Sequence, residues 1–346
     1  MTPLEARFCT ECQLDPTRVG GGLLSDDPVI ERRSPVRIAG AGFDDRRPVL
    51  AQLEALEITE PARFANAVIK LANAYALAKS AGIAQVVHPG FEFLPDDCQV
   101  GPVRFVTRCS AGARVLQNNF YYTPPLAPLY ARCMPLRRAV DALGACMTLP
   151  CGDRAPPPAD DAHLFIHLRA GDVFGEGVVH PLYAQPPLAF YQRVLAARLW
   201  SRVTLVREDD RNPITAPLIG TLQAMGIPLH QQRGTLREDL ETLLTARHLV
   251  IARGTFIYPL LIWSRALQQV YAFDSFSASE WCFFPAEQYI ALRERDGDGL
   301  PADAAFQVRV LRDRTGRYRE QVLRRWQNSP AQRQMMLDYP VTDISG

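Results

Sequence analysis

From residue 163 to residue 273 the chain repeats one theme: a short apolar run, a turn signal, then an amphipathic stretch. Strands are expected at 163–169, 202–207, 227–231, 249–252 and 270–273, with helices at 186–199, 214–225, 235–247 and 255–268 between them. Strands separated by whole helices are not hairpin partners; each helix is a crossover, and the sheet it serves is parallel. Crossovers of this kind are right-handed. The pattern limits this half of the chain to an α/β sheet with flanking helices, a fold that takes ligands outside the carboxyl ends of its strands.

Those ends carry the chemistry. The first strand, His163-Leu164-Phe165-Ile166-His167-Leu168-Arg169, runs into Ala170-Gly171-Asp172, delivering an arginine to the edge where phosphate would lie. The second strand ends in Glu208-Asp209-Asp210, which reads either as a divalent-metal site or, more commonly, as a polar acidic turn. After the fourth strand comes Gly254-Thr255, where glycine permits close backbone approach and a threonine can cap the next helix, leaving N–H groups for an anion. Asp239 sits early in its helix, placed either to complement the helix dipole or to accept from a base. His163 and His167 share one face of their strand, but no third ligand stands near them for zinc.

The amino-terminal half is less regular. Residues 1–58 form a loop-rich lead-in with room for one or two strands, such as Val36-Arg37-Ile38-Ala39. Thr59-Glu60-Pro61 reads as a helix start, with Phe64, Val68, Leu71, Tyr75 and Ala78 recurring at helical spacing up to Gly82. A second face of that helix carries Arg63, Asn66, Lys70 and Asn73, either as a solvated face or as a polar row serving a site. Short strands are expected at 83–88 and 103–107. The proline-rich run 151–160 is a boundary between a lobe at 59–150 and one at 161–285, with a cleft between them. Residues 286–346 form a carboxyl-terminal extension with a strand at 306–311 and one long amphipathic helix, about 318–339, that would pack back across the lobes.

Composition narrows the function classes. The 346 residues carry a net charge of +1 and a pI near 7.6, which gives no electrostatic footprint for nucleic acid. No apolar run approaches the length of a membrane span and Met1–Thr10 lacks a signal-peptide core, so a cytoplasmic location is expected. The 8 cysteines are too dispersed for a disulfide scaffold, and Cys9-x-x-Cys12 has no second pair to complete a zinc knuckle. Neither a G-x-G-x-x-G nor a Walker A sequence follows any strand, which argues against a dinucleotide enzyme or a P-loop phosphotransferase.

Three short segments carry a family resemblance. His167-Leu168-Arg169-Ala170-Gly171-Asp172 is similar to the H-x-R-x-G-D peptide of the fucosyltransferase superfamily, whose members include protein O-, α1,6- and α1,2-fucosyltransferases of the GT-B fold. Arg63-Phe64-Ala65-Asn66 resembles its amino-lobe R-F-G-N segment, and Gly254-Thr255-Phe256 its S-T-F segment, in the same order along the chain. The resemblance implies an α/β, GT-B-like fold: two Rossmann-like lobes facing a cleft. It also implies an inverting, metal-independent transfer of fucose from GDP-fucose to a glycan or protein hydroxyl, with no cofactor beyond the donor. Arg169 would bind the donor β-phosphate and Asp172 would act beside it. Thr255 and Phe256 would hold phosphate, with Gly171, Gly254 and a packed His167 completing the donor site; Asp239 would read guanine, and Arg63 and Asn66 would reach the diphosphate and acceptor. Two departures stand out: Asn66 is followed by Ala67-Val68 rather than glutamine, and glycine precedes Thr255. The segment 179–187, with His180 and Tyr183, is unlike the best-known members and would shape a branch-specific pocket. A transferase using GDP-mannose or a UDP-sugar, and a non-catalytic glycan- or nucleotide-binding descendant, remain as alternatives.

Overall fold

The computed structural model describes residues 50, 52–121, 134, 136–149, 160–176, 179, 183–274 and 306–346. Cys9, Cys12, the 36–39 segment and His180 lie outside them, as does all of the 151–160 crossing except Asp160. The protein is α/β and divides into two compact units, the first holding the described residues up to Thr148 and the second those from Leu149 onward. Among the described residues no helix is long and apolar enough to cross a membrane.

The first unit is built on a five-stranded sheet of β1 (Ala55–Ile58), β2 (Gln85–Val87), β3 (Asp97–Val100), β4 (Val103–Val106) and β5 (Val115–Asn118), in the order β3-β4-β2-β1-β5. All neighbours are parallel except the β3–β4 hairpin. Helix α1 (Phe64–Ala81) crosses from β1 to β2 and packs on both strands and on α2 (Leu136–Gly144). The expected cap at Thr59 is not used: α1 begins five residues later, with Arg63 in extended conformation at the cap position and no side-chain cap. Gly82, at φ +75°, closes the other end by returning its N–H to Ala78 O, a conformation that disfavours any residue with a Cβ.

The polar row on α1 divides: Arg63 at the cap is exposed and Asn66 half-buried, whereas Lys70 and Asn73 are buried. Every residue of the helix except Asn66, Lys79 and Ser80 is buried. Lys70 Nζ donates to Glu60 O at 3.1 Å and Asn73 Nδ2 to Phe120 O at 2.9 Å, so these two tie loops to the helix. Because α1 has a sheet on one side and α2 on another, Lys70 and Asn73 are enclosed and take backbone partners.

The second unit holds a seven-stranded sheet: β6 (His163–Leu168), β7 (Arg202–Arg207), β8 (Leu229–Gln232), β9 (His248–Val250), β10 (Gln269–Phe273), β11 (Gln307–Asp313) and the short β12 (Ile344–Ser345). Its order is β12-β11-β10-β9-β6-β7-β8, parallel throughout except for β12. Read from β8 to β11 this is the 3-2-1-4-5-6 order of the doubly wound dinucleotide-type sheet. The chain builds outward from β6 in one direction, returns, and builds outward from β9 in the other. The order therefore reverses between β6 and β9.

The crossover helices are α3 (Leu188–Ala196), α4 (Thr215–Ala224), α5 (Leu236–Leu244) and α6 (Ile257–Trp263). Leu164, Ile166 and Leu168 of β6 enter the core shared with α3 and α4, while the alternate residues Phe165 and His167 face the other side, where His167 meets Phe256. The single long helix expected over 318–339 is two pieces: a π-helical turn at Arg319–Leu323 and α7 (Pro330–Asp338). Asn328, at φ +57°, interrupts it, and Ser329 starts α7 with a capping box to Gln332. Tyr318, Trp326, Met336 and Tyr339 are all buried in this unit's core, and β11 pairs along β10, so the carboxyl-terminal extension completes the second unit.

Candidate functional site

The candidate site is the carboxyl edge of the second sheet at the point where strand order reverses. β6 delivers Arg169 there. The chain then turns through Gly171, at φ +63°, into a 3₁₀ turn over Gly171–Phe174. Glycine suits this left-handed backbone, and a Cβ on Gly171 would sit 2.3 Å from Glu208 Oε2, so a larger residue would also push that carboxylate aside. That loop braces the turn: Asp209 Oδ1 accepts from Gly171 N at 3.3 Å, and Asn212 Nδ2 donates to Arg169 O at 2.9 Å. Asp210 accepts from Arg207 Nε at 2.8 Å and Arg233 Nη1 at 3.0 Å. Asp209 and Asp210 of the acidic turn are thus engaged with the protein itself, and among the described residues no group of three or more His, Cys, Asp or Glu is arranged to hold a metal.

Arg169 Nη2 donates to Asp172 Oδ1 at 2.5 Å, the arginine side chain being 20% exposed and the aspartate 49%. Beneath the arginine, His167 is buried, its ring 4.8 Å from that of Phe256 and its Nδ1 without a hydrogen-bond partner. Burial, reinforced by the nearby Arg169 charge, drives its pKa down to about 3, so the imidazole is neutral. Tyr183, partly buried, hydrogen-bonds Thr255 and lies within the fields of both Arg169 and Asp172; burial raises its phenol pKa. His167, Arg169, Asp172, Tyr183, Thr255 and Phe256 are therefore one neighbourhood.

Thr255 does not cap α6. That helix starts at Ile257 after Phe256, which is already helical (φ −51°, ψ −40°), and no side chain caps it. The threonine hydroxyl is engaged with Tyr183 instead, and α6 has only seven residues, so a helix-terminal anion site is not what this junction offers. Its contribution is the loop itself. Gln185, fully buried, donates to Arg253 O at 3.0 Å and accepts from Arg253 N at 3.2 Å, fixing the backbone just before Gly254.

Asp239 lies two strands from β6, beside the end of β8. The dipole role is taken by its neighbours, since Thr235 and Glu238 form a capping box at the start of α5. Asp239 Oδ1 accepts from Gly234 N and Gln232 Nε2, both at 3.3 Å, and burial raises its pKa. Arg63 and Asn66 belong to the other unit, at the start of α1 beyond the carboxyl end of β1; Asn66 Oδ1 accepts from Tyr121 OH at 3.2 Å.

Sequence reasoning missed Asn212, Gln185 and Arg253. Asn212 and Gln185 sit in irregular proline-flanked loops where periodicity is silent, whereas Arg253 was visible as the residue at a strand end beside Gly254. Comparison of the chain with protein-family models, with curated proteins and with solved structures finds no match.

Proposed function

We propose that the protein is a GT-B-type glycosyltransferase that takes a sugar, fucose first among the candidates, from a GDP-linked donor. It passes the sugar with inversion to a hydroxyl of a glycan or protein. The observation that carries this reading is Arg169, held on a braced turn at the reversal point of a 3-2-1-4-5-6 sheet, with Thr255 and Tyr183 beside it.

Glycosyl transfer of this kind leaves positive charge at the anomeric carbon and negative charge on the departing diphosphate. A guanidinium offers parallel N–H donors to phosphate oxygens and keeps its charge at every working pH, so Arg169 can stabilise that leaving group without a metal. Neutral His167 adds no competing positive charge below it. Asp172 accepts from Arg169, which suits it to orienting the arginine rather than to taking a proton from the acceptor. Asp239 keeps Oδ2 for a base, its Oδ1 being spent on its own loop.

Calorimetric titration with GDP, UDP and ADP tests the reading, followed by release of GDP from GDP-fucose in the presence of candidate acceptors. A preference for GDP that Arg169→Ala removes supports it. Equal binding of all three nucleotides would take the guanine assignment away from Asp239, and wild-type turnover in Arg169→Ala would end the proposal.

A further inference from the structure

At or just beyond the carboxyl ends of β6, β7, β8 and β9 stand Arg169, Arg207, Arg233 and Arg253, and the first three have local acids: Arg169 pairs with Asp172, and Arg207 and Arg233 with Asp210. Among the described residues no ion pair or hydrogen bond engages the guanidinium of Arg253, which is only partly buried. An uncompensated cation on an otherwise neutralised edge marks where an anion is expected.

Its position sharpens the point. β6 and β9 are parallel neighbours in the register Leu164↔His248 to Ile166↔Val250. Continued three residues further, that register sets Arg169 level with Arg253, one on each side of the reversal point. Their backbones are also held with unusual care. The Gln185 amide closes on both the N–H and the C=O of Arg253, Gln185 O accepts from Tyr318 OH at 2.7 Å, and both Gln185 and Tyr318 are fully buried. Beyond Arg253 the chain turns at once through Gly254, at φ +137°. A buried, hydrogen-bonded network of this kind fixes the backbone from which the guanidinium is presented.

We infer that Arg253 is a second phosphate ligand of the site, so that Arg169 and Arg253 together grip the two phosphates of a nucleoside diphosphate between β6 and β9. The inference rests on the nucleotide-sugar reading for the identity of its ligand, though not for the arginine pair itself. It sets the ligand class: a diphosphate engages both arginines, and a monophosphate engages one.

Titration of the full chain with GDP, GMP and inorganic pyrophosphate at fixed salt decides it, using wild type, Arg169→Ala, Arg253→Ala and Arg253→Lys. Arg253 is partly exposed and its backbone contacts survive truncation, so the variants fold. Loss of a charge-assisted contact predicts a GDP affinity on the order of 10–100-fold weaker in Arg253→Ala, with the GDP-over-GMP ratio falling by about tenfold or more. Lysine keeps the charge without the fork and restores part of the loss. If Arg253→Ala binds GDP and pyrophosphate as wild type does while Arg169→Ala loses both, Arg253 is not a ligand and the nucleotide-sugar reading stands. Pyrophosphate binding that depends on both arginines, without any gain from a nucleoside, upholds the pair and overturns that reading. A wild type that binds none of the three overturns both.

Discussion

Arg169 Nη2 and Asp172 Oδ1 meet at 2.5 Å across a single turn, with the aspartate the more exposed partner. Half-exposed ion pairs contribute little to folding, so Asp172→Asn is expected to change stability by less than about 1 kcal/mol. If Arg169 faces a leaving diphosphate, as proposed, Arg169→Ala should instead lower turnover on the order of 10²–10³-fold with the fold intact. If Asp172 only orients the arginine, Asp172→Asn weakens GDP binding and keeps the pH profile of turnover. Loss of turnover in Asp172→Asn at unchanged GDP affinity would make the aspartate the general base. Denaturant melts together with steady-state rates from pH 5 to 9 separate the two roles.

Gly171 and Glu208 make a second prediction. Any side chain at 171 meets a backbone at φ +63° and the Glu208 carboxylate. Gly171→Ala is expected to cost about 1–2 kcal/mol from the left-handed conformation alone. The carboxylate adds to this, but its flexible side chain can swing aside. Gly171→Ala in a Glu208→Ala background should therefore recover only the clash, leaving the conformational part. Chemical denaturation of the two single variants and the double variant reads that partition; full recovery in the double variant would show that backbone strain is not the cost.

Much of the second unit was legible because its signals are local and repeated. β7 occupies 202–207 as its sequence indicated, and Thr235 opens α5 with the hydroxyl and the glutamate three residues on that a capping box needs. The first unit was harder to read. β3 and β5 are four-residue strands among prolines and glycines, and α2 gave no separable pattern in that stretch. Lys70 and Asn73 misled because helical spacing reports which residues share a face, not what covers the face; here the sheet and α2 enclose the helix. The same limit explains the site. Arg169, Gly171 and Gly254 announced themselves by sitting at strand ends, while Gln185 and Asn212 act through long-range contacts to backbone atoms, for which sequence spacing carries no signal.

Asp239 is placed to test base recognition by an isosteric change. Asp239→Asn keeps an oxygen for Gly234 N but replaces the other carboxylate oxygen with a donor, which on the proposed reading would oppose guanine's own donors. GDP affinity should fall about tenfold or more while UDP affinity is unchanged, which competitive titration measures directly. A parallel loss for both nucleotides would mean that the residue supports the β8–α5 loop and does not read the base.

His167 gives the protein an acid sensitivity that can be read without any substrate. Its imidazole moves from an ordinary value of 6.5 to about 3 on folding, through burial first and the Arg169 charge second. The unfolded chain therefore takes up a proton between those values that the folded chain refuses. The sign follows: this contribution to stability is complete above about pH 6.5 and is lost progressively as pH falls toward 3. Between pH 8 and pH 5 the loss amounts to about 2 kcal/mol for this residue. His163, pushed down to about 4 by burial, acts in the same direction, so the wild-type decline alone does not isolate His167. His167→Phe does, since it keeps the ring against Phe256 and removes the titration. Any packing cost of the larger ring is the same at both pH values and cancels. The unfolding free energy of His167→Phe should thus fall by about 2 kcal/mol less than that of wild type between pH 8 and pH 5. Equal declines in the two proteins would show that the imidazole is reached by solvent, and would remove neutral His167 from the account of the site.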